Sequence, residues 1–196
     1  MDAEQTFLWL QALRLKGRSQ GSDLAAALGQ SEEEAAVALE SLESEGLVIR
    51  GDGFYGLSEG GNLLRIAALD AERASVDTEL LEGLYAEFLR VDADFKRLVT
   101  RVQLGDVSLE ELSRDLTEHH ELFRALVLRF TNLVPRLERY GPRFDSAFEY
   151  LRAGDRRYLA SPLVESYHSL WFEFHEELIQ MTGRTRAAEE AGSSAT

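Results

Sequence analysis

Apolar residues recur at helical spacing through most of the first fifty positions. The first such stretch covers 5–16. Ser22 is predicted to cap a short second helix that ends at Gly29. After a tight turn, Ser31 and Glu34 form the S-x-x-E pattern of a capping box, which predicts the start of a third helix. The pattern therefore predicts one helix followed by two more that are joined by a tight turn.

Two short β-prone segments follow the third helix. The segments LVIR and FYGLS flank Gly-Asp-Gly at 51–53, and glycine at such a position favours the tight turn of a hairpin. Gly60 and Gly61 are predicted to close this hairpin. A helical pattern resumes over 62–73, and we expect a linker or a helix break over 74–77.

The rest of the chain is predicted to be helical. Ser108 and Glu111 form a second capping box, Pro142 is predicted to start another helix, and Ser161 with the proline after it is predicted to start the last one. Apolar residues recur at spacings of three and four in two long seams, which predict helices that pack against others or offer dimer surfaces. The first seam contains Leu81, Leu84, Phe88, Val91, Phe95, Leu98 and Val102, and the second contains Leu112, Leu116, His119, Phe123, Leu126 and Phe130.

Charge and cysteine content narrow the classes of function. The 196 residues include no cysteine, which excludes disulfides, thiolate metal sites and cysteine nucleophiles. The formal net charge is −14, so a nucleic-acid or membrane surface requires basic residues gathered in one place. The N-terminus lacks the basic region and cleavage site of an export signal, and no apolar run is long enough to span a bilayer. We therefore expect a cytoplasmic protein without a membrane partner.

The segment DLAAALGQSEEEAAVALESLESEGLVIR, followed by the turn at 51–53 and by LSEGG, carries a family resemblance. It resembles the winged helix-turn-helix superfamily, and most closely the transcriptional regulators of the multiple-antibiotic-resistance (MarR) type. The resemblance covers about a third of the chain. It implies that the predicted hairpin is the wing, that the helix beginning at Ser31 reads the major groove of DNA, and that the protein is a symmetric homodimer.

The implied reading helix is acidic. The residues expected at a DNA interface are Arg14, Lys16, Arg18, Ser31, Glu32, Glu33, Ala36 and Arg50. The four basic residues among them are expected to form a modest rim for phosphate contacts. Over 1–66, however, eleven acidic residues face only five basic ones. Carboxylates in the first helical turn also favour the helix dipole, so they have a purely structural explanation.

Two functions therefore remain open for the first domain. The first is sequence-specific DNA binding by a transcriptional regulator. The second is a protein-interaction adaptor that does not bind DNA and that docks a basic partner against its glutamates.

The second half of the chain holds all four histidines and its most aromatic segment. His168 and His175 are seven residues apart on one predicted helix face, so the segment forms either a bundle core or the wall of an apolar pocket for a small-molecule effector. Arg156 and Arg157 can hold a carboxylate or phosphate, or instead cap a helix end or stay solvated. The candidate ligand-binding residues are His119, Tyr167, His168, Trp171, His175, Arg156 and Arg157.

Two further resemblances concern this half. The ending SYHSLWFEFHEELIQMTGRTR is similar to a C-terminal segment of actinobacterial proteins, some of them phosphoenolpyruvate-utilising or dikinase-like. The segment VDADFK is similar to a metal-binding motif in the helical effector domain of FadR-type regulators. Asp92 matches the acidic ligand, but Lys96 replaces the histidine four residues later. Since neither histidine of the last helix has another at i+4, we expect no metal site.

Enzyme signatures are missing from the sequence. It contains no nucleophile elbow, glycine-rich phosphate loop or HExxH motif, so we expect neither an enzyme nor a cofactor. The expected fold is mainly α. An N-terminal winged helix of three helices and a short β-hairpin wing covers 1–66, a C-terminal helical bundle for dimerisation or ligand sensing covers 67–183, and a disordered tail covers 184–196.

Overall fold

The computed structural model describes residues 1–106 and 109–185, and the chain divides into two compact units, Met1–Ser75 and Val76–Thr196. The described residues are mainly helical with one two-stranded antiparallel hairpin, so the predicted fold class is confirmed at that level. The division falls within the break predicted over 74–77. The boundary predicted near Ile66 instead lies inside a continuous helix.

Unit 1, Met1–Ser75, contains four helices and the hairpin. Its elements are α1 (Ala3–Lys16), α2 (Gly21–Leu28), α3 (Glu32–Ser44), β1 (Val48–Gly51), β2 (Phe54–Leu57) and α4 (Glu59–Ser75). The order of helix, tight turn and helix predicted for the first third is confirmed, and so is the hairpin after it.

Local hydrogen bonds set the beginnings of α2 and α3. The capping box of α3 is confirmed, because Ser31 Oγ accepts from the Glu34 N–H at 3.2 Å and the Glu34 carboxylate accepts from the Ser31 N–H at 2.8 Å. The predicted cap at Ser22 is wrong. The helix begins before Ser22, because the Asp23 carboxylate accepts from the Gln20 N–H at 3.4 Å and so places the capping position at Gln20.

The hairpin has a two-residue turn, and β2 also pairs with a single residue outside the hairpin. Asp52 and Gly53 at its tip have φ angles of 53° and 80°, the left-handed pair that a type I′ turn requires. On the other edge of β2, Ser19 and Tyr55 exchange two backbone hydrogen bonds of 3.1 and 2.8 Å. The segment between α1 and α2 therefore joins the hairpin to these two helices.

The glycine pair expected to close the hairpin has a different role. Gly60 and Gly61 lie in the first turn of α4. Ser58 Oγ accepts from the Gly61 N–H at 2.9 Å and donates to the Gly46 carbonyl at 2.7 Å, which ties the start of α4 to the end of α3. A Cβ on Gly61 would lie 2.0 Å from the Leu47 carbonyl oxygen. This glycine is therefore required by a close backbone approach and not by a turn.

The core of unit 1 is built by α1, α2, α3 and the hairpin. It contains Trp9, Leu10, Ala12, Leu13, Leu24, Ala25, Ala35, Leu39, Leu42 and Val48. Two buried polar side chains join α1 to α4, since Arg65 Nη1 donates to Gln11 Oε1 at 3.0 Å.

Unit 2, Val76–Thr196, is a helical bundle over its described residues. Its elements are α5 (Thr78–Leu104), α6 (Leu109–Leu133), a 3₁₀ turn (Pro135–Arg139), α7 (Tyr140–Arg152), the single-turn α8 (Arg157–Ala160) and α9 (Tyr167–Met181). Pro142 lies in the first turn of α7. The predicted start of the last helix at Ser161 is wrong, because Ser166 caps α9 by accepting from the Ser169 N–H at 3.3 Å. The capping box predicted at Ser108 lies outside the described residues.

The two predicted seams form the interior of the bundle. In α5, Leu81, Phe88 and Phe95 are buried, and Val91 and Val102 are half-buried. All six seam residues of α6 are buried. Of the two predicted roles of these seams, the structure therefore shows packing against other helices of the same unit.

The predicted tail begins with a residue that has partners. Arg184 Nη2 donates to the Glu82 carboxylate at 2.6 Å, and its guanidinium lies 4.8 Å from the centre of the Tyr85 ring. The rest of the predicted tail, from 186 onward, lies outside the described residues. Over 1–106 and 109–185, no helix has both the length and the apolar character needed to cross a bilayer.

Candidate functional site

The exposed surface of α3 and the hairpin is the first candidate site. Ser31, Glu32, Glu33 and Ala36 are all exposed, as expected for residues that contact a macromolecule. Val37 adds an apolar side chain that is 70% exposed. This surface, here called the α3 face, is acidic with a small apolar patch.

One of the three consecutive glutamates is committed to the helix itself. The carboxylate of Glu34 accepts from both the backbone N–H and the hydroxyl of Ser31, each at 2.8 Å. These hydrogen bonds, the one from the backbone first, lower the pKa of Glu34. Glu32 and Glu33 are therefore the two carboxylates of this turn that take no part in the capping box.

Arg18 contacts the tip of the hairpin. Its Nη2 donates to the Gly51 carbonyl at 2.7 Å and to the Asp52 carboxylate at 3.2 Å, and its guanidinium lies 5.4 Å from the centre of the Phe54 ring. Arg18, which was predicted to contact phosphate, thus holds the tip of the hairpin.

Arg50 lies over the next aromatic ring of the hairpin, with its guanidinium 5.4 Å from the centre of the Tyr55 ring. Successive side chains of a strand point to opposite faces, so Phe54 and Tyr55 place Arg18 and Arg50 on opposite sides of the ribbon. Arg14 is exposed and Lys16 half-buried at the end of α1. Arg18 and Arg50 therefore lie on different faces of the hairpin.

The second candidate site is the aromatic interior of unit 2. His119, Tyr167, Trp171 and His175 are buried there, and His168 at its edge is half-buried. The indole N–H of Trp171 donates to Asp92 Oδ1 at 2.8 Å. Tyr167 and Trp171 are therefore core residues of unit 2.

Asp92 links the aromatic residues to charged and polar groups. Lys96 Nζ lies 2.7 Å from its second carboxylate oxygen, and His175 Nδ1 lies 3.8 Å from the first. His175 Nε2 lies 3.3 Å from the Tyr85 hydroxyl. Asp92 matches the acidic ligand of the FadR-type motif. In this structure its carboxylate is paired with the ammonium group of Lys96. Across the part of the chain that the structure describes, no cluster of three His, Asp or Glu residues is arranged to hold a metal ion.

His119 lies among aromatic rings. Its ring centre lies 5.2 Å from that of Phe95 and 5.1 Å from that of Trp171. Its Nε2 is buried without a hydrogen-bond partner in the described part of the chain. Burial lowers the pKa of His119 to about 4, so the imidazole is neutral at pH 7.

A hydrogen-bonded chain through His120 was not found from the sequence. His120 Nδ1 lies 3.2 Å from the Tyr167 hydroxyl, and its Nε2 lies 3.1 Å from the Asp145 carboxylate, which also binds Arg124 at 2.7 Å. Burial lowers the pKa of His120, and Asp145 opposes that effect. The partners come from three helices, so no local pattern marks them.

A buried ionic cluster at one end of the bundle was also missed. The Glu177 carboxylate, which is fully buried, accepts from Arg136 at 2.6 Å and from Arg139 at 2.5 Å. Beside it, Arg143 contacts Glu173 at 2.8 Å. The available signal was periodic: the arginines recur at spacings of three and four, and the two glutamates are four apart. The cluster contains its own counter-charges, which marks it as structural.

The two arginines proposed as anion ligands have different surroundings. The Arg157 guanidinium contacts the Asp155 carboxylate through Nη2 at 2.7 Å and Nε at 3.0 Å. Arg156 instead lines a cavity of about 710 Å³ between α6 and α7, together with Phe148 and Leu151. Of these two arginines, only Arg156 therefore lines the cavity.

Comparison of the chain with protein-family models, with curated proteins and with solved structures gives no match. Any function assigned to it therefore depends on the geometry and charge of these surfaces.

Proposed function

We propose that this chain is a winged-helix regulatory protein. In this proposal, unit 1 recognises a macromolecule through the α3 face and the hairpin, and unit 2 is a bundle for dimerisation or effector binding. The order of elements supports it: α1, the bridging residue Ser19, the tightly joined pair α2 and α3, and a hairpin wing before α4. In winged helices the second helix of such a pair enters the major groove.

DNA binding by a transcriptional regulator is the first candidate function. The observation that carries it is the exposed first turn of α3 directly after the tight turn that separates it from α2. Residues of this turn reach base edges in groove-reading helices, and Arg14 and Arg50 are exposed to contact phosphates. This candidate is an argument by architecture.

A protein-docking adaptor is the second candidate, and the charge of the α3 face favours it. Glu32 and Glu33 repel phosphates, while Arg18 is bonded to the wing tip. A basic protein surface complements this face and also covers the exposed side chain of Val37.

One pair of charge changes separates the two candidates, because it has opposite effects on them. Neutralising the α3 face with the double variant Glu32→Gln/Glu33→Gln removes repulsion toward DNA and attraction toward a basic protein. For DNA we expect roughly three- to tenfold tighter binding, and for a lysine-rich peptide a loss of about the same size. The assay is fluorescence anisotropy with labelled genomic fragments and with the peptide, at low and at moderate salt.

The matched control is Glu138→Gln, which removes an exposed carboxylate in the 3₁₀ turn of unit 2. Binding of DNA by the unaltered chain that Arg50→Ala weakens supports the regulator. If the chain binds no fragment even at low salt, and the α3-face variant loses peptide affinity relative to the control, the adaptor is supported. Equal effects of the α3-face variant and the control on both probes contradict the proposed recognition surface.

A further inference from the structure

A cavity in unit 2 has an apolar floor. It measures about 710 Å³ and opens between the first half of α6 and the second half of α7. Leu112 and Leu116 line it from α6, and Phe148 and Leu151 line it from α7. Small-molecule sites commonly measure about 300 to 1,000 Å³ and have mainly apolar walls, and this cavity has both properties.

The rim of the cavity is cationic at one side. Arg114, Arg152 and Arg156 line it, in a protein whose net charge is −14. Arg152 already contacts the Glu149 carboxylate at 3.1 Å, and Arg114 lies 3.5 Å from that of Asp115. For Arg156 no carboxylate lies within ion-pair distance among the side chains that the structure describes. Arg156 is therefore the rim cation that a ligand can pair with.

Two carboxylates limit the charge of such a ligand. Glu118 and Glu121, both exposed, line the α6 side of the cavity. They disfavour polyanions such as nucleotides, because each added phosphate approaches these carboxylates as well as the arginines. One acidic group is accommodated, since a guanidinium binds a carboxylate in a two-pronged geometry.

We infer that this cavity binds an amphipathic monocarboxylate, with its hydrocarbon part on Leu116, Phe148 and Leu151 and its carboxylate on Arg156. A medium-chain fatty acid or an aryl-alkanoic acid has this chemistry. The inference deepens, and rests on, the effector-binding role proposed for unit 2. It places that role away from the buried residues around Trp171, which are packed into the core.

The test is isothermal titration calorimetry of the full chain with decanoate, and with decanol as the uncharged analogue. Decanoate is expected to bind saturably and decanol more weakly, since decanol fills the same floor without pairing with Arg156. Arg156→Ala should weaken decanoate binding about tenfold and leave decanol binding unchanged, because loss of one charge-assisted contact corresponds to about that factor. Arg156→Lys should give an intermediate affinity.

The matched control is Arg157→Ala, the next residue, whose guanidinium is held by Asp155 outside the cavity. It should bind decanoate as the unaltered chain does. A second variant, Leu151→Asn, should weaken both ligands, because Leu151 contributes to the floor and not to the charge. Circular dichroism confirms that each variant is folded, and both arginines are exposed, so their loss spares the core.

Absence of saturable decanoate binding overturns the inference, as does equal affinity in Arg156→Ala and the unaltered chain. Binding that weakens equally in Arg156→Ala and Arg157→Ala also overturns it, because such a result indicates general attraction to basic residues. The calorimetry contains neither DNA nor peptide. A negative result here is therefore distinct from a failure of the α3 face to recognise a macromolecule.

Discussion

Trp171 and Asp92 are joined across the bundle by a hydrogen bond of 2.8 Å from the indole N–H to a carboxylate oxygen. They lie on α9 and α5, 79 residues apart, and both are buried. The carboxylate also holds Lys96 at 2.7 Å, so its charge is balanced from the edge of the helix. This contact fixes the position of α9 against α5 inside an otherwise aromatic core.

We expect Asp92→Ala to lower the free energy of unfolding by about 2 to 4 kcal/mol, because it leaves the Trp171 N–H buried without an acceptor. Lys96→Met should cost less than Asp92→Ala, since the lysine side chain is 67% exposed and the Trp171 N–H keeps its acceptor. Urea unfolding followed by tryptophan fluorescence measures both. The control is Asp94→Ala, which removes an exposed carboxylate paired with Arg97 on the same helix. Equal losses for Asp92→Ala and Asp94→Ala would contradict the assigned role.

A methyl group at Gly61 should destabilise unit 1. The added Cβ meets the Leu47 carbonyl, which is backbone and cannot rotate away, so we expect Gly61→Ala to cost about 1 to 3 kcal/mol. Gly83→Ala in α5 is the matched control, since nothing lies within 4 Å of its Cβ position. It should stabilise the chain by about 0.5 to 1 kcal/mol by favouring the helix. Thermal unfolding of both variants checks the prediction, and a stabilising effect of Gly61→Ala would refute the close approach.

Ser31 should contribute to stability as the cap of α3, whereas Ser22 should not, because it does not cap α2. Ser31→Ala removes the acceptor for the Glu34 N–H and should cost about 1 kcal/mol. Ser22→Ala should change stability by less than about 0.5 kcal/mol, because Ser22 is exposed and lies after the start of α2. Urea unfolding of the two alanine variants gives the comparison. If Ser22→Ala lowered the free energy of unfolding more than Ser31→Ala, the result would support the cap at Ser22 that the sequence predicted.

His119 should make the stability of unit 2 depend on pH. Burial lowers its pKa to about 4 from an ordinary value near 6.5, so the unfolded chain binds a proton more readily than the folded one. Stability is therefore fully present above about pH 6.5 and declines as the pH falls toward 4, by up to about 3 kcal/mol.

The variant His119→Phe isolates this contribution. Phenylalanine keeps the stacking against Phe95 but has no proton to gain, so its stability should vary less between pH 6.5 and 4. Urea midpoints at a series of pH values measure the difference between the two proteins. Parallel pH profiles would show that His119 does not titrate as described.

Much of the fold was predictable because its signals are local. The capping box of α3 needs only Ser31 and Glu34, and the turn of the hairpin needs only two residues that accept positive φ. The wrong predictions arose where a group distant in the sequence determines a residue's role. Gly61 looked like a turn residue because the sequence does not show the Leu47 carbonyl beside it. Ser161 looked like a helix start because the real cap, Ser166, is an equally ordinary serine.

In the candidate sites, too, local features were predictable and contacts between distant residues were not. Spacing predicted that His168 and His175 share a helix face, but it did not show that Trp171 meets Asp92, because that contact joins residues 79 positions apart. Spacing likewise gave Arg156 and Arg157 equal roles. The structure distinguished them, because Asp155 holds one and a cavity between two helices receives the other.

Local sequence patterns were enough to predict the first three helices, the hairpin, the acidity of α3 and the apolar seams of α5 and α6, since these depend on neighbours within one or two turns. Tertiary structure decided which polar groups from distant parts of the chain meet. Trp171, Tyr167 and Arg136, which contact Asp92, His120 and Glu177, come from other elements, and hydrogen bonds act only over about 3 Å. Such contacts exist only once packing has brought those elements together.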